Sequence, residues 1–332
     1  MQTLVRYGWS PKLQFQLDST TQSVQPARVI NDYGKTMEVI TENGPRMVRV
    51  PHALDRPCVG DWVGLEHNEH QIRVSHLFER QTLLLRKAPG TSTRRQPIGA
   101  NIHTAFITTS ANKDFSLRRI ERMLAALATA SIRPVVLLTK ADLTTSIKEF
   151  ERETRQVSGD GVVLSISAQT GEGLNALYDQ LRPGETHVLI GSSGVGKSTL
   201  VNRLLGTEQQ AVLPIRADGT GCHATTRREL FALPRWGALL MDTPGMREFA
   251  LGDDTNMGAA FTDVEGLMSD CRFRNCTHTV EPGCGVLDAL DSGVLDPGRW
   301  VSYAKLKREL KHLQKRDSAR ELKEKRAARR RR

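Results

Sequence analysis

Cysteine is scarce in this chain, with five residues in 332. That is too few for a disulfide scaffold. Three of the five crowd between positions 271 and 284, and such clustering points to metal. Cys58 and Cys222 stand apart and read as reduced thiols. Long apolar runs are missing too. None approaches the ~20 residues that a bilayer crossing needs, and residues 134–138 make a buried strand at most. The opening MQTLVRYGWS lacks a basic segment followed by an apolar one. A cytoplasmic chain without membrane attachment is the expectation.

Excess charge is absent from most of the sequence. Residues 301–332 hold 14 Lys/Arg against 4 Asp/Glu, while the other 300 residues hold 33 of each sign. The tail therefore carries the whole net charge of +10. Such a block reads as an arm seeking a polyanion, nucleic acid above all; a merely solvated terminus is the alternative.

The chain is long enough for two or three domains at ~100–200 residues each. Residues 1–22 are polar and without clear period. From Ala27 to Arg80, short branched-rich runs alternate with turns: 28–30, 37–40, 47–50, 62–63 and 72–74. Five short strands in so few residues suggest a small closed barrel, OB-like or SH3-like. Residues 86–100 are basic and rich in Gly, Pro and Thr, and read as a linker. Apolar runs at 105–107, 135–138, 162–166, 187–190 and 238–241 then alternate with helical patterns. One such helix is marked by Leu117, Ile120, Leu124 and Leu127, with Asp114 or Ser116 as its cap. This rhythm indicates an α/β domain with a mostly parallel sheet. A last helix follows Pro297, with Tyr303, Leu306, Leu310 and Leu313 on one face. The expected division is a barrel over 1–85, a linker over 86–100, an α/β domain over 101–252, and a helical module with a basic tail over 253–332.

Gly191-Ser192-Ser193-Gly194-Val195-Gly196-Lys197-Ser198 fits the phosphate-loop pattern in full, after an apolar strand and at the start of a helix that continues through Thr199. Glycines let backbone N–H groups point inward at the positive end of a helix. Lys197 would meet the β/γ-phosphates, and Ser198 would bind Mg²⁺.

Two strand-end loops bear on the base. Thr139-Lys140-Ala141-Asp142 resembles the N-K-x-D motif of GTPases, with Thr139 in the place of Asn. A carboxylate at Asp142 could accept from the guanine ring N–H and exocyclic amine, a donor pair that adenine lacks. Lys140 could lay its stem on the base. Ser167-Ala168-Gln-Thr-Gly171 resembles the S-A-x-x-G loop that meets the guanine oxygen. Asp242-Thr-Pro-Gly245 follows the strand at 238–241; Asp242 would hold Mg²⁺ through water, and the Gly245 N–H would touch the γ-phosphate. Thr225 and Thr226 lie where a switch threonine belongs. Met246 follows the DxxG motif, where Ras-like enzymes place a water-orienting Gln; His223 is the candidate substitute, a solvated loop histidine the plainer reading. Intrinsic turnover should be slow and dependent on a partner. The order is permuted: guanine motifs first, then phosphate loop, switch threonines and DTPG.

Cys271-x4-Cys276-x-His278-x5-Cys284 offers three thiolates and one imidazole. Four such ligands match a closed, structural, tetrahedral Zn²⁺ site.

The permuted order, the barrel-like beginning, the stretch HATTRREL ending in DTPGMREF and the cysteine spacing together resemble the bacterial family of small ribosomal subunit biogenesis GTPases, RsgA. The resemblance implies a monomeric GTPase that binds the 30S subunit and its 16S rRNA. It further implies action late in subunit maturation, stimulation by that subunit, one zinc per chain, and Mg²⁺ with GTP or GDP. Ala224 stands where the family's run of switch threonines has another threonine, leaving Thr225 or Thr226 for Mg²⁺, with Thr226 favoured. The competing readings are an RNA-binding zinc protein with a vestigial nucleotide site, and a P-loop ATPase.

Overall fold

The computed structural model describes residues 1–20, 23–50, 56–68, 71–87, 95–206, 228–242 and 257–330. The polar N-terminal stretch forms two short helices, α1 (Gln2–Arg6) and α2 (Pro11–Asp18). Pro11 occupies the first turn of α2, where its missing N–H costs nothing, and the Ser10 hydroxyl accepts from the Leu13 N–H. Leu4 and Leu13 seat these helices on Trp62 and Phe78 of the barrel. A polar sequence hid them because each contributes a single buried anchor.

The barrel comprises β1 (Gln25–Asp32), β2 (Thr36–Thr41), β3 (Gly44–Arg49), β4 (Trp62–Asn68) and β5 (Gln71–Leu77). The order β1-β2-β3-β5-β4 closes through antiparallel β1–β4 pairing, with β3 and β5 parallel. This is the five-stranded OB arrangement. The sequence-defined runs fall within these strands, save Val50, one residue past the end of β3.

The stretch expected to be a linker is not one at its ends. Strand β6 (Leu83–Lys87) pairs antiparallel with β7 (Arg95–Ala100). Leu84 and Ile98 enter the core, which outweighs the basic, Gly/Pro-rich composition around them.

Next come β8 (Thr104–Ser110), α3 (Leu117–Thr129), β9 (Arg133–Thr139), α4 (Ile147–Ser158), β10 (Val162–Ser165), α5 (Leu174–Tyr178), β11 (Thr186–Gly191), α6 (Lys197–Leu205), β12 (Glu229–Leu233) and β13 (Ala238–Asp242). Strands β10-β9-β8-β11-β13 are parallel, and β12 runs antiparallel beside β13. Side chains alternate between faces. Ile107, Val136, Val188 and Leu239 meet α3 and α4 on one side; Phe106, Val135, Leu189 and Leu240 meet α5 and α6 on the other. β12 also pairs with β1 at Glu229 and Asn31, so barrel and α/β domain share one sheet. Arg28 fastens this junction. Fully buried beneath Trp62, it donates to the carbonyls of Gly60 and Tyr7 and, at 2.8 Å, to the Thr186 hydroxyl at the start of β11. Burial lowers its pKa to about 9.

The C-terminal module is α7 (Met257–Ala260), α8 (Thr262–Ser269), α9 (Gly285–Asp291) and the 34-residue α10 (Pro297–Arg330). Tyr303, Leu306 and Leu310 bury one face of α10 against Phe261, Val264, Val286 and Ala125 of α3. The Leu313 side chain lies outside the described ones. Glu121 of α3 accepts from Arg299 at 2.7 Å and from Ser302, and Arg122 of α3 pairs with Glu309. Among the described residues, no helix is long and apolar enough to cross a membrane.

Candidate nucleotide site and metal centre

The parallel strands deliver their C-terminal ends to one edge of the sheet. There the chain order reverses between β8 and β11, the crevice where open α/β sheets bind ligands. The loop 191–196 leaves β11 at that crevice and enters α6. A Cβ at Gly191 would lie 2.1 Å from the Thr108 carbonyl oxygen, so only glycine lets β11 turn beside β8. Lys197 folds back along the loop: its Nζ donates to the carbonyls of Gly191, at 2.9 Å, and Ser192. An ammonium has three N–H groups, so among the described residues one is left over for a ligand. Burial lowers the Lys197 pKa to about 8, while Asp242 and Asp114 pull the other way. Asp242 is buried at the end of β13, on the same edge as Lys197 and Ser198.

The strand-end loops read for guanine are tied to this one. The buried Thr139 hydroxyl is 2.7 Å from the Val195 carbonyl and 3.1 Å from that of Thr109, so this side chain serves the phosphate loop. Lys140 adopts a left-handed backbone conformation and starts a turn that leaves Asp142 exposed. The Ala141 N–H donates to the Ile166 carbonyl, joining the 139–142 and 167–171 loops. Ser167 is buried, and its hydroxyl accepts from the Thr170 N–H. The structure thus gathers Lys140, Asp142, Ser167, Ala168, the 191–199 segment and Asp242 at one edge. His223, Thr225, Thr226 and Gly245 lie outside the described residues, as do Cys222 and Met246.

One neighbour escaped sequence reasoning. Arg119 of α3 donates to the Ser192 hydroxyl at 2.5 Å and pairs with Asp114 at 3.0 Å. The available signal was electrostatic: arginines at 118 and 119 sit in the first turn of a helix, where the macrodipole disfavours cations.

The second cluster lies between α8 and α9. The ligand atoms of Cys271, Cys276, His278 and Cys284 all fall within 4.8 Å of one another. A tetrahedral ion with Zn–S of about 2.3 Å and Zn–N of about 2.0 Å demands S···S edges near ~3.8 Å and S···N edges near ~3.5 Å. The Cys271–Cys284 sulfurs stand 3.9 Å apart, and His278 Nδ1 is 3.5 Å and 3.4 Å from them. The donor set and its spacing fit zinc.

A family model described as RsgA GTPase matches residues 77–252. A small ribosomal subunit biogenesis GTPase RsgA of Opitutus terrae is 43% identical over 76% of this chain and 72% of its own. The protein named RsgA 2 of Vibrio parahaemolyticus is 41% identical over 92% of this chain and 85% of its own. Crystal structures of YjeQ from Thermotoga maritima and of YloQ, a circularly permuted GTPase, share the fold with TM-scores of 0.63 and 0.60 at 23% and 22% identity. They cover 87% and 89% of this chain and 99% and 96% of their own. On this evidence the chain belongs to the RsgA GTPase family.

Proposed function

We propose that the chain is a GTPase that engages the 30S ribosomal subunit in the cytoplasm and hydrolyses GTP late in that subunit's maturation. The observation that carries this reading is the joining of the 139–142, 167–171 and 191–197 loops at one sheet edge by the Thr139 and Ala141 hydrogen bonds. Backbone N–H groups of residues 192–196, the remaining Lys197 proton and the Ser198 and Thr199 segment cradle the phosphates. Asp142 selects guanine. Ser198 and Asp242 supply hard oxygens of the kind Mg²⁺ takes, and that ion neutralises phosphate charge. Thr225 or Thr226, Gly245 and a water-orienting His223 complete the sequence-based assignment. Cys271, Cys276, His278 and Cys284 hold one Zn²⁺, which cross-links the module without an open position for chemistry. The 16S rRNA is the polyanion sought by the basic tail, and the working unit is a monomer.

The test is GTP turnover measured with and without purified 30S and 50S subunits, beside titrations of GTP and ATP. Turnover should rise with 30S alone, and Asp142→Asn should shift preference away from guanine. ATP bound as tightly as GTP, or turnover indifferent to 30S, would overturn the reading.

A further inference from the structure

Arg119 lies outside every motif, yet it is built into the nucleotide site from two sides. Its guanidinium lies on the first turn of α3, against the helix dipole. A local electrostatic conflict of this kind persists where another contact compensates it. Here the compensation is a short relay. The Ser110 hydroxyl and the Asp114 N–H both donate to Asn112 Oδ1, which fixes the loop between β8 and α3. Asp114 then accepts from Arg119 through its carboxylate and its carbonyl. Arg119 passes the restraint to the Ser192 hydroxyl. Behind it, α3 is clamped to α10 by the Glu121–Arg299 and Arg122–Glu309 pairs, so its mount is rigid.

Ser192 is therefore pinned twice: its carbonyl by Lys197 and its hydroxyl by Arg119. From this geometry we infer that Arg119 is a positioning residue for nucleotide, holding the phosphate loop in its binding shape through Ser192 before GTP or GDP arrives. The inference rests on the proposed nucleotide site. A residue acting in this way strengthens ground and transition states alike, so its loss raises KM and leaves kcat in place. Lysine is a poor substitute, because one compact ammonium cannot replace both Nη1, which serves Ser192 and Asp114, and Nη2, which holds the second Asp114 oxygen.

The experiment uses the full chain and measures GDP affinity together with kcat and KM for GTP. Arg119→Ala should raise KM and the GDP dissociation constant about tenfold, the scale of one charge-assisted hydrogen bond, with kcat within about twofold. Arg119→Lys should recover less than half of that loss on a logarithmic scale. Ser192→Ala should reproduce the defect, and adding Arg119→Ala to it should cost little more. Additive effects, full rescue by lysine, or an unchanged KM would overturn the inference. If Arg119→Ala fails to fold, Ser192→Ala alone carries the test, since it removes the acceptor without touching α3. Lys197→Ala separates the two levels. If it still binds nucleotide, the site is misread; if it does not while Arg119→Ala binds normally, only the role of Arg119 falls.

Discussion

Replacing Arg299 with methionine should loosen the C-terminal module from α3 while leaving the barrel intact. Arg299 is 9% exposed and Glu121 is 3% exposed, so their 2.7 Å contact is a buried ion pair. Arg299 also serves Asp263 at 2.8 Å and the Ala260 carbonyl at 2.7 Å, with its guanidinium 4.1 Å from the centre of the Phe261 ring. The Asp263 pair is half in water and contributes ~0–1 kcal/mol. The loss lies mainly at Glu121, which among the described residues keeps only Ser302 as a donor. Stranding a buried charge costs about 3–5 kcal/mol. Methionine keeps much of the apolar contact with Phe261, so packing adds little. Glu121→Leu in the same chain removes the stranded charge and leaves one unmet hydroxyl at Ser302, about 1–3 kcal/mol. The double variant should therefore be ~2 kcal/mol more stable than Arg299→Met alone. Hydrogen exchange of α3 and α10 amides reads this directly as the free energy of local opening. Equal protection in the wild type and in Arg299→Met, or a double variant no better than the single one, would refute the reasoning.

Three further outcomes are expected. Elemental analysis of freshly purified, unchelated protein should find one zinc per chain, and Cys276→Ala should lose it and destabilise residues 257–312 more than it weakens GDP binding. Lys197 sets a pH dependence. With its folded pKa at about 8 and an ordinary value of 10.5, the unfolded chain holds more protons between those limits, so stability gains from this group as pH rises through that window. GDP affinity should move oppositely, weakening above pH ~8 as the ammonium is lost, and calorimetry showing flat affinity from pH ~7.5 to ~9.5 would contradict the assignment. Finally, deleting residues 314–332, which carry ten Lys/Arg, should flatten the salt dependence of 30S binding and leave ribosome-free turnover unchanged; an identical salt slope would mean a merely solvated tail.

The barrel strands were legible as short branched-rich runs between turns, and the parallel sheet as continuous apolar runs buried on both faces, patterns that a sequence displays directly. The phosphate loop and the cysteine cluster were legible because their chemistry fixes residue spacing. What escaped depends on contacts distant in sequence. Helices α1 and α2 each bury one residue fully, Leu4 and Leu13, too few to set a period. Strand β7 and the last two residues of β6 lie in the basic, Gly/Pro-rich stretch 86–100 whose composition argued for a linker. Helices α7 to α9 are four to eight residues long, and their apolar residues acquire a common face only once α10 lies beside them. Arg119 reaches Ser192 across 73 positions, and no spacing rule anticipates such a partner.

The pairing of β1 with β12 bears on how the protein can be dissected. A fragment beginning at residue 101 would keep the nucleotide loops but lose β1, which meets β12 at Glu229. Glu229 would lose its β1 partner and add its backbone to the sheet edge, and Met241, which lies close against Gly60 and Gly99, would be bared. Such an edge templates association between copies. The Thr186 hydroxyl would at the same time lose its guanidinium donor at the root of the strand that carries the phosphate loop. Weak nucleotide binding or clumping by an isolated GTPase fragment would therefore report a torn sheet, and a dissection that keeps the barrel attached is the one that reads the catalytic unit.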